Sequence, residues 1–542
     1  TILSELGVDA ERLCRQSETR LYPFGAKLFH LLGDLNTRVN WGAPATIYVE
    51  REYYSRLRGF DDRSERVPLK IVRSKISDKE DPATAEEAGG ADQLVIVRQG
   101  GDDESLDEAG IDSNDDRVAS DDRQVMTVIK RDYREILPLL RHRHTPDHPA
   151  VKAILSRERN VRLSIDLRLQ LRASEILGER LRTARVKRGA AVVIDPPTGD
   201  ILAAVSYPWP GEPFTPNPAQ PGMPENPRED LVDRAFAALR PPGSTFKIVT
   251  AMAALGATET DRQDQRFECR SQANGRVGFQ IPGFRRAVLD AAGDSAHGQP
   301  NMEEAIVRSC NAYFAQLGLK IGPQRLLETA DRLGIRVAAR SKTRSPEEVL
   351  AEGENLLQAG YGQGQVIVTP FQMARVAATV ANGGVIEAGR WVIDDGNRRT
   401  DAAVRLVSPD NARFLVQSMR GVVTRGTASN AASSSMAGKT GTAQVKSRVR
   451  YISAEKVGFR DERGNLRYLE WKRGEPIPAG LRPAFYEQPQ TAHGWFIGIA
   501  PFDSNHPIAF SVLMENGGSG RGAAVPVADR IVAEALRLGM GK

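Results

Sequence analysis

The chain is 542 residues long, enough for two or more domains, and 40% of its residues are hydrophobic. Its 74 basic and 69 acidic side chains give a formal net charge of +5, and no nucleic-acid-binding motif accompanies this basic excess. Three cysteines are too few for a disulfide framework, no two of them have zinc-ligand spacing, and no apolar run approaches the ~18 residues of a membrane span.

The N-terminal part of the chain changes character along its length. Residues 1–75 mix helical and extended patterns, whereas Asp, Glu, Gly and Ser dominate residues 76–123. An apolar patch at residues 94–97 predicts one short strand inside this acidic insertion. Residues 127–185 have the pattern of helices, with a break at the prolines of residues 146–149.

The remainder of the chain has the pattern of a sheet assembled from distant segments. Residues 190–194 and 201–205 are apolar runs joined by a turn, which predicts a β-hairpin. Near the C-terminus, residues 495–499 and 509–514 predict two more strands, and residues 526–538 predict a closing helix. Helix-rich sequence fills the interval, so the predicted fold class is α+β.

Ser244 has the surroundings of a nucleophile. A Pro-Pro-Gly sequence precedes it, and residues 248–255 are apolar on nearly every face, which is typical of a buried helix. At the start of such a helix the free backbone N–H groups can bind an oxyanion. Lys247 lies one turn further, and a buried lysine can lose its proton and then accept that of the hydroxyl. Because S-x-x-K is common, an ordinary Ser and Lys on a helix is the alternative for this pair alone.

A second short motif, S-x-N, follows the predicted helix Met302–Arg308. Ser309 can pass a proton to a leaving amine, and Asn311 can hold both Lys247 and a substrate amide. We expect Cys310, between them, to pack inward rather than to react.

A third motif, K-T-G, consists of Lys439, Thr440 and Gly441. Small residues around it favour pairing of the strand with a substrate backbone. Lys439 supplies a cation for a substrate carboxylate and disfavours protonation of Lys247. The hydroxyls of Thr440 and Thr442 add hydrogen bonds, and the N–H of Thr442 is the expected second oxyanion donor.

The strand that carries this third motif is predicted over residues 437–443, at the edge of a sheet. A phosphate-binding loop is a rival interpretation, because Gly438 precedes the lysine and threonine. The full phosphate-loop pattern needs glycine at position 433, where this chain has Ser433. Nucleotide binding is therefore not predicted.

In the order S-x-x-K, S-x-N, K-T-G, the motifs describe a serine acyl-transfer site. The chain resembles a penicillin-binding protein transpeptidase domain over roughly residues 161–542. Beyond the motifs, the resemblance rests on residues 163–166, 169–170, 192–207, 240–244, 297–298, 362–364, 369–372, 426–428 and 493–496.

Within that family the chain resembles class B proteins. Residues 20–25, 32–33 and 50–59 resemble the class B pedestal, and the first 160 residues are too short for a class A glycosyltransferase domain. The resemblance implies a pedestal or interaction domain over residues 1–160, with the acidic insertion at about 76–123. A transpeptidase domain over residues 161–542 would follow, with an antiparallel sheet flanked by helices as in serine β-lactamases.

The resemblance also implies a location and a partner. The membrane helix and the opening segment of class B proteins are absent, which predicts a trimmed chain, with a divergent N-terminus as the alternative. The protein is expected on the periplasmic face of the inner membrane, anchored by an N-terminal helix that this chain lacks. Residues 313–314, 362–364 and 515–518 resemble elongation-type proteins more than division-type ones, so a role in cell shape and a SEDS-family glycosyltransferase partner are implied.

The function implied by the resemblance is a peptidoglycan D,D-transpeptidase. Ser244, deprotonated by Lys247, would attack the penultimate D-alanine of a stem peptide, and Ser309 would relay a proton to the leaving D-alanine. Lys439, with the Thr440 and Thr442 hydroxyls, would bind the terminal carboxylate. β-Lactams would acylate the serine by mimicking this D-Ala-D-Ala peptide, and no metal or cofactor is implied. The alternatives are a D,D-carboxypeptidase or β-lactamase-type hydrolase, and a non-catalytic wall-synthesis scaffold.

Two further segments leave alternatives open. Glu354 begins a near match to the E-x-x-L-N motif of a deacylating glutamate, but Gln358 takes the last place, so a surface helical glutamate is expected. Residues 445–491 form a long segment rich in Arg, Tyr and Pro, which fits either a gate beside the catalytic strand or a disordered surface insertion.

Overall fold

The computed structural model describes residues 21–33, 48–61, 65–73, 94–98, 123–130, 132–211, 229–256, 263–393, 403–433, 435–453, 456–471 and 477–542. The chain divides into two compact units. The larger unit combines residues 1–52 with residues 162–542, and the smaller unit covers residues 53–161.

The helices of the described residues are α1 (Phe29–Leu32), α2 (Val49–Glu52), α3 (Tyr54–Arg58), α4 (Leu137–Arg141), α5 (Pro149–Leu155), α6 (Leu167–Thr183), α7 (Lys247–Leu255), α8 (Met302–Arg308), α9 (Asn311–Arg332), α10 (Pro346–Ala351), α11 (Asn355–Gly360), α12 (Pro370–Ala381), α13 (Pro409–Thr424) and α14 (Gly520–Arg537). Short 3₁₀ helices cover Gly25–Leu28, Arg134–Ile136, Glu229–Leu231 and Gly243–Phe246. Among these residues no helix is both long enough and apolar enough to cross a membrane.

The strands of the described residues are β1 (Glu65–Arg73), β2 (Leu94–Arg98), β3 (Arg123–Lys130), β4 (Arg188–Ile194), β5 (Ile201–Tyr207), β6 (Arg270–Ser271), β7 (Val277–Phe279), β8 (Val288–Leu289), β9 (Val385–Ile386), β10 (Val404–Arg405), β11 (Ala437–Arg450), β12 (Ile452–Ser453), β13 (Lys456–Arg460), β14 (Leu466–Leu469), β15 (Arg482–Pro483), β16 (Phe485–Ala500) and β17 (Ile508–Glu515).

The smaller unit contains an antiparallel sheet in the order β2-β1-β3. The strand predicted at residues 94–97 is confirmed as β2. The helical prediction for residues 127–130 is wrong, because these residues belong to β3. The segment is rich in the β-branched residues that favour strands, so local propensity outweighed the helical pattern of the residues that follow.

The larger unit is built on an antiparallel sheet in the order β11-β16-β17-β4-β5. The predicted β4–β5 hairpin is confirmed, and so are the two C-terminal strands, β16 and β17. Strand β17 is buried along its whole length, so both faces of the sheet are covered. Helices α6, α12 and α14 pack against the sheet, and α14 begins at Gly520, earlier than the predicted start at residue 526.

Strand β11 lies at the edge of this sheet, as predicted for residues 437–443. It does not end there, however: β11 and β16 continue together as a long hairpin, with Val445 opposite Gln490 and Arg450 opposite Phe485. A small sheet of β12, β13, β14 and β15 fills the segment between them. Most of the described residues of 445–491 pair as strands, so the interpretation as a disordered insertion is wrong for them, and the role as a gate stays a prediction.

Candidate active site

The turn that carries Ser244 is shaped by its contact with β11. Ser244 is half-buried and lies in the 3₁₀ helix Gly243–Phe246, and the α-helix proper starts only at Lys247. Gly243 has φ +55°, and a Cβ on it would lie 2.7 Å from the carbonyl oxygen of Thr442. Glycine is therefore needed here, both for the left-handed backbone and for the close approach of the turn to β11.

Three further contacts hold this turn. The indole Nε1–H of Trp495, on β16, donates to the carbonyl of Pro241 at 3.0 Å. The N–H of Gly243 donates to the carbonyl of Gly362 at 3.0 Å. A Cβ on Gly441 would lie 2.7 Å from the carbonyl oxygen of Pro242, so the third motif packs directly beneath the nucleophile turn. Residue 244 is thus fixed by both the sheet and the segment 362–364.

Lys247 is fully buried and contacts the second motif. Its Nζ donates to the Asn311 side-chain oxygen at 2.7 Å, to the Ser309 hydroxyl at 3.2 Å, and to the Ser309 carbonyl. The expected contact of Asn311 with Lys247 is present. Burial lowers the pKa of Lys247 to about 8, although the negative charge of Asp290 opposes the shift. About one tenth of the amine is therefore neutral at pH 7, far more than for an ordinary lysine.

The hydrogen bonds of Lys247 within the described residues go to Ser309 and Asn311 rather than to the Ser244 hydroxyl. In a 3₁₀ helix residues three apart eclipse each other, so Ser244 and Lys247 still share one face of the turn. Catalytic hydrogen bonds often tighten only when substrate is bound, so this arrangement is compatible with proton transfer between them.

The two lysines meet at the hydroxyl of Ser309. Lys439 is also fully buried, and its Nζ donates to the Ser309 Oγ at 2.8 Å and to the Thr440 carbonyl at 3.0 Å. Burial, and then the charge of Lys247, lower the pKa of Lys439 well below its usual value. A hydroxyl that accepts from two amines has its own hydrogen left to donate, which is what a proton relay needs.

The hydroxyls of the third motif are held by residues whose role the sequence did not indicate. Thr440 Oγ1 lies 2.5 Å from Thr427 Oγ1, and Thr442 Oγ1 accepts from the N–H of Gly520 at 3.4 Å. Thr427 belongs to a segment, residues 426–428, that supported the family resemblance, but nothing in its sequence context indicates a contact with Thr440. Side-chain pairing across distant segments becomes visible only in the fold.

The hydrogen bonds of Glu354 do not indicate a role as a deacylating base. It precedes α11, and its carboxylate accepts from the Gln358 amide at 3.3 Å. Gln358 in turn packs against Gly364, where an added Cβ would lie 2.8 Å from the amide oxygen. The prediction of a surface helical glutamate is met only in part, because Glu354 is half-buried and directly precedes the helix.

A cluster of Cys269, Asp290, His297 and Cys310 lies directly behind the second motif. One potential ligand atom from each of these residues lies within 4.8 Å of all the others. Asp290 Oδ2 is 3.1 Å from Cys269 Sγ, 3.2 Å from His297 Nδ1 and 3.4 Å from Cys310 Sγ. Cys310 is fully buried, as expected for an inward-packed residue.

The donor set of this cluster fits a zinc-class divalent ion. Two thiols, an imidazole and a carboxylate are the ligand types that zinc uses in tetrahedral sites. The ion would fix the loop between α8 and α9, because Cys310 separates Ser309 from Asn311. Cysteine spacing did not indicate this site, since its four residues come from separate segments that only the fold brings together.

Hydrogen bonds within this cluster favour the charged forms of Asp290 and His297. Burial opposes ionisation of Asp290, but the hydrogen bond from His297 and the charge of Lys247 outweigh it and lower the pKa of Asp290 to about 2. The hydrogen bonds to Asp290 and Cys269 raise the pKa of His297 to about 9. Asp290 Oδ1 also accepts from the backbone N–H groups of Asn311 and Ala312, which ties the cluster to the second motif.

Comparisons with known proteins agree with this geometry. Residues 189–459 match the family model "Penicillin binding protein transpeptidase domain". The peptidoglycan D,D-transpeptidase PbpA of Mycobacterium tuberculosis is 28% identical over 383 residues, which are 65% of this chain and 67% of PbpA. The peptidoglycan D,D-transpeptidase MrdA of Acinetobacter baumannii is 30% identical over 407 residues, 68% of this chain but only 53% of MrdA.

Two solved structures are similar along most of this chain. The structure of Pseudomonas aeruginosa PBP2 in complex with WCK 5153 is 29% identical with a TM-score of 0.52, covering 70% of this chain and 77% of that one. The ceftriaxone acyl-enzyme complex of penicillin-binding protein A from M. tuberculosis is 25% identical with a TM-score of 0.50, covering 74% of this chain and 84% of that one.

Proposed function

The chain belongs to the penicillin-binding protein transpeptidase family, and we propose that it is a peptidoglycan D,D-transpeptidase whose acyl-enzyme forms on Ser244. The carrying observation is the shared hydroxyl of Ser309, which accepts hydrogen bonds from both Lys247 and Lys439 beside the nucleophile turn. The curated relatives PbpA and MrdA, both named D,D-transpeptidases, are in accord with the predicted class B, elongation-type subtype.

Acylation begins with proton transfer to the neutral amine of Lys247. The Ser244 oxygen then attacks the carbonyl carbon of the penultimate D-alanine, and the N–H groups of Ser244 and Thr442 bind the oxyanion. The close approach of Gly243 to the Thr442 carbonyl supports this pairing of donors, because it brings the two backbones together.

Collapse of the tetrahedral intermediate expels the terminal D-alanine. Its nitrogen needs a proton, which Lys247 delivers through the Ser309 hydroxyl as the C–N bond breaks. Lys439 holds that hydroxyl from the opposite side through its own hydrogen bond. The amine of a second stem peptide then attacks the ester, and the same groups carry the proton back to Ser244.

The terminal carboxylate of the donor peptide is assigned to Lys439, Thr440 and Thr442. The Thr427 hydroxyl supports this assignment, since its contact with Thr440 fixes how that hydroxyl is oriented. Gly520, at the start of the 18-residue helix α14, lies against the same strand and adds a positive helix end close to Thr442.

The proposed domain division keeps residues 1–160 as the pedestal and residues 161–542 as the catalytic domain. Most of the acidic insertion at 76–123 lies outside the described residues. Parts of the first 52 residues pack in the larger unit: the Tyr48 hydroxyl donates to the Leu231 carbonyl at 2.9 Å, and Lys27 pairs with Glu175 at 2.8 Å. An extracytoplasmic location at the membrane and a SEDS-family partner remain proposals that rest on the family resemblance.

Intact-mass analysis after incubation with benzylpenicillin tests the nucleophile. We expect one stable adduct that maps to Ser244, and its loss in Ser244→Ala. Ser341→Ala, at an exposed serine outside the motifs, is the matched control and should keep the adduct. Absence of an adduct on the folded wild-type protein would refute the assignment.

A second measurement separates transpeptidation from hydrolysis. The protein is given a D-Ala-D-Ala peptide with and without an acceptor amine, and products are followed by mass spectrometry. A transpeptidase yields the cross-linked product when the amine is present, whereas a D,D-carboxypeptidase yields the hydrolysed peptide in both cases. Rapid turnover of the penicillin would instead support a β-lactamase-type hydrolase.

A further inference from the structure

The cluster behind the second motif contains two thiols that converge on one oxygen. Cys269 and Cys310 are both free and fully buried, and their sulfur atoms lie within 4.8 Å of each other. Each thiol donates to the same carboxylate oxygen of Asp290, at 3.1 Å and 3.4 Å. Their side chains therefore already point at a common position, although the two residues are 41 positions apart in sequence.

We propose that Cys269 and Cys310 are a modification site: in the absence of a bound metal ion they form a reversible disulfide that distorts the active site. A disulfide needs its sulfur atoms at about 2.05 Å, so the pair closes by a movement of a few ångströms. When a zinc-class ion occupies the cluster, both sulfurs are ligands and the bond cannot form. The cluster then has two exclusive states, metal-bound and oxidised.

The oxidant class is a peroxide, which supplies the two oxidising equivalents that a disulfide needs. One thiol is oxidised by hydrogen peroxide to a sulfenic acid, and one water leaves. The sulfur of the second thiol attacks the sulfenic sulfur, the S–S bond forms, and a second water leaves with the remaining proton. Two thiols are thus oxidised and one peroxide is reduced to two waters. A dithiol reductant reverses the step.

Both backbones are held, since the N–H of Cys310 donates to the Ala305 carbonyl at 2.9 Å, but we expect the movement on the Cys310 side, where a side-chain contact can break. The backbone of Cys269 is fixed by two hydrogen bonds with Gly298, at 2.8 Å and 2.9 Å. Cys310 instead caps the start of α9, where its sulfur accepts from the N–H of Tyr313 at 3.3 Å. Drawing this sulfur toward Cys269 breaks that cap contact and pulls on the residues on either side.

Those neighbours are the ones that hold the catalytic lysine. Ser309 and Asn311 are both held by hydrogen bonds. Each accepts from Lys247, and Ser309 also accepts from Lys439. A misplacement of about 1 Å in such a site costs on the order of 10²-fold in rate. We therefore expect the disulfide to slow acylation of Ser244 by roughly tenfold or more, a readout that rests on the proposed function.

The test uses the full chain with Cys14→Ser, so that the third cysteine takes no part. Protein treated with a chelator and then with hydrogen peroxide is compared with protein loaded with zinc before peroxide. We expect the chelated sample to lose two hydrogens in intact mass and to give a linked peptide containing Cys269 and Cys310. The zinc-loaded sample should give neither, and dithiothreitol should restore the original mass.

Acylation by a fluorescent penicillin is measured on the same samples. It should slow in the oxidised protein and recover after reduction. The matched control is Cys269→Asp, which keeps an anionic ligand but removes one thiol: its acylation rate after peroxide should equal its own rate before treatment. Cys269→Ser serves the same comparison if the aspartate variant does not fold.

Two outcomes would overturn the proposal. The first is a chelated, folded protein in which peroxide yields no linked peptide, or only sulfinic acid at one cysteine. The second is a quantitative disulfide with an unchanged acylation rate. A reduced protein that penicillin does not acylate would count against the proposed function instead, while the mass data would still decide whether the disulfide forms.

Discussion

The site formed by Lys247, Ser309 and Lys439, here called the cleft, and the cluster behind it contain buried ionisable groups, yet burial has opposite outcomes in the two. In the cleft, Lys247 and Lys439 have no carboxylate among their hydrogen-bond partners within the described residues, and burial lowers both pKa values. In the cluster, hydrogen bonds between Asp290 and His297 outweigh burial and keep both groups charged. Burial that is not compensated thus favours the neutral amines, whereas hydrogen bonds that compensate burial keep Asp290 and His297 charged.

This comparison shows how Lys247 can serve as the proposed base although the charge of Asp290 raises its pKa. Asp290 raises the pKa of Lys247 through space, but its oxygens are taken by two thiols, an imidazole and two backbone N–H groups. Direct pairing of Asp290 with the lysine would hold the amine charged. The cluster therefore places a negative charge near the cleft without giving it a direct contact.

The largest effect on acylation is expected when Lys247, the proposed base, is replaced by a side chain that is always positively charged. In Lys247→Arg the guanidinium stays charged at all accessible pH values and accepts no proton. Loss of a general base typically costs 10²- to 10⁴-fold, so penicillin acylation should fall by about that range. Stopped-flow or gel-based acylation rates measure it. Lys320→Arg, at an exposed position of α9, is the control; near-normal rates in Lys247→Arg would disprove the base assignment.

The pH profile of acylation reports the same difference between the regions. Because the base acts when neutral, the rate should rise about tenfold per pH unit below the pKa of Lys247, near 8, and level off above it. The negative charge of Asp290 stabilises the ammonium form of Lys247. Asp290→Asn removes this charge, so the midpoint of the pH–rate profile should move to lower pH. Asp294→Asn, whose charge has a smaller influence on Lys247, should move it less.

A midpoint that stays in place in Asp290→Asn would show that the two regions are electrostatically independent. If the midpoint of the wild-type profile lies near the ordinary pKa of lysine, burial does not control the pKa of Lys247. Each profile needs folded protein at every pH, which far-UV circular dichroism checks.

The next expected effect comes from metal binding to the cluster. Zinc present at a hundred times its dissociation constant stabilises a folded protein by about 2.7 kcal/mol, provided that the unfolded chain does not bind it. We expect zinc to raise the melting temperature by a few degrees and elemental analysis to find about one ion per chain. In His297→Asn both results should weaken. A wild-type protein that takes up no zinc and shows no shift would contradict the metal assignment.

The contrast between the cleft and the cluster also shows which parts of the molecule could be predicted from the sequence alone. The cleft was predictable because each motif is a short local pattern, such as Ser309 and Asn311 two residues apart at the end of a helix. The hairpin β4–β5 and the edge strand β11 were predictable because apolar runs and small residues mark them. The cluster was not, since Cys269, Asp290, His297 and Cys310 have no common spacing.

Two sequence predictions were wrong for different reasons. Residues 445–491 gave no clear strand period because Arg, Tyr and Pro are spread through them, and the β16 residues 485–491 are exposed rather than packed in a core. Residues 127–130 were merged with the helices that follow, because one short strand between polar segments offers few residues to establish a period.

The smallest predicted effect concerns a contact that only the fold reveals. Thr427→Val keeps the shape of the side chain but removes the hydroxyl that lies 2.5 Å from Thr440 Oγ1. Loss of one hydrogen bond of this kind costs about 0.5–1.5 kcal/mol, so acylation efficiency should fall by roughly 2- to 10-fold. The loss should appear in penicillin binding rather than in the rate at saturation, because Thr440 is assigned to the carboxylate and not to proton transfer. Thr427→Ser should restore it, and Thr424→Val, at an exposed position of α13, should change neither parameter. An equal loss in the serine variant would mean that the methyl group, and hence packing, governs this position.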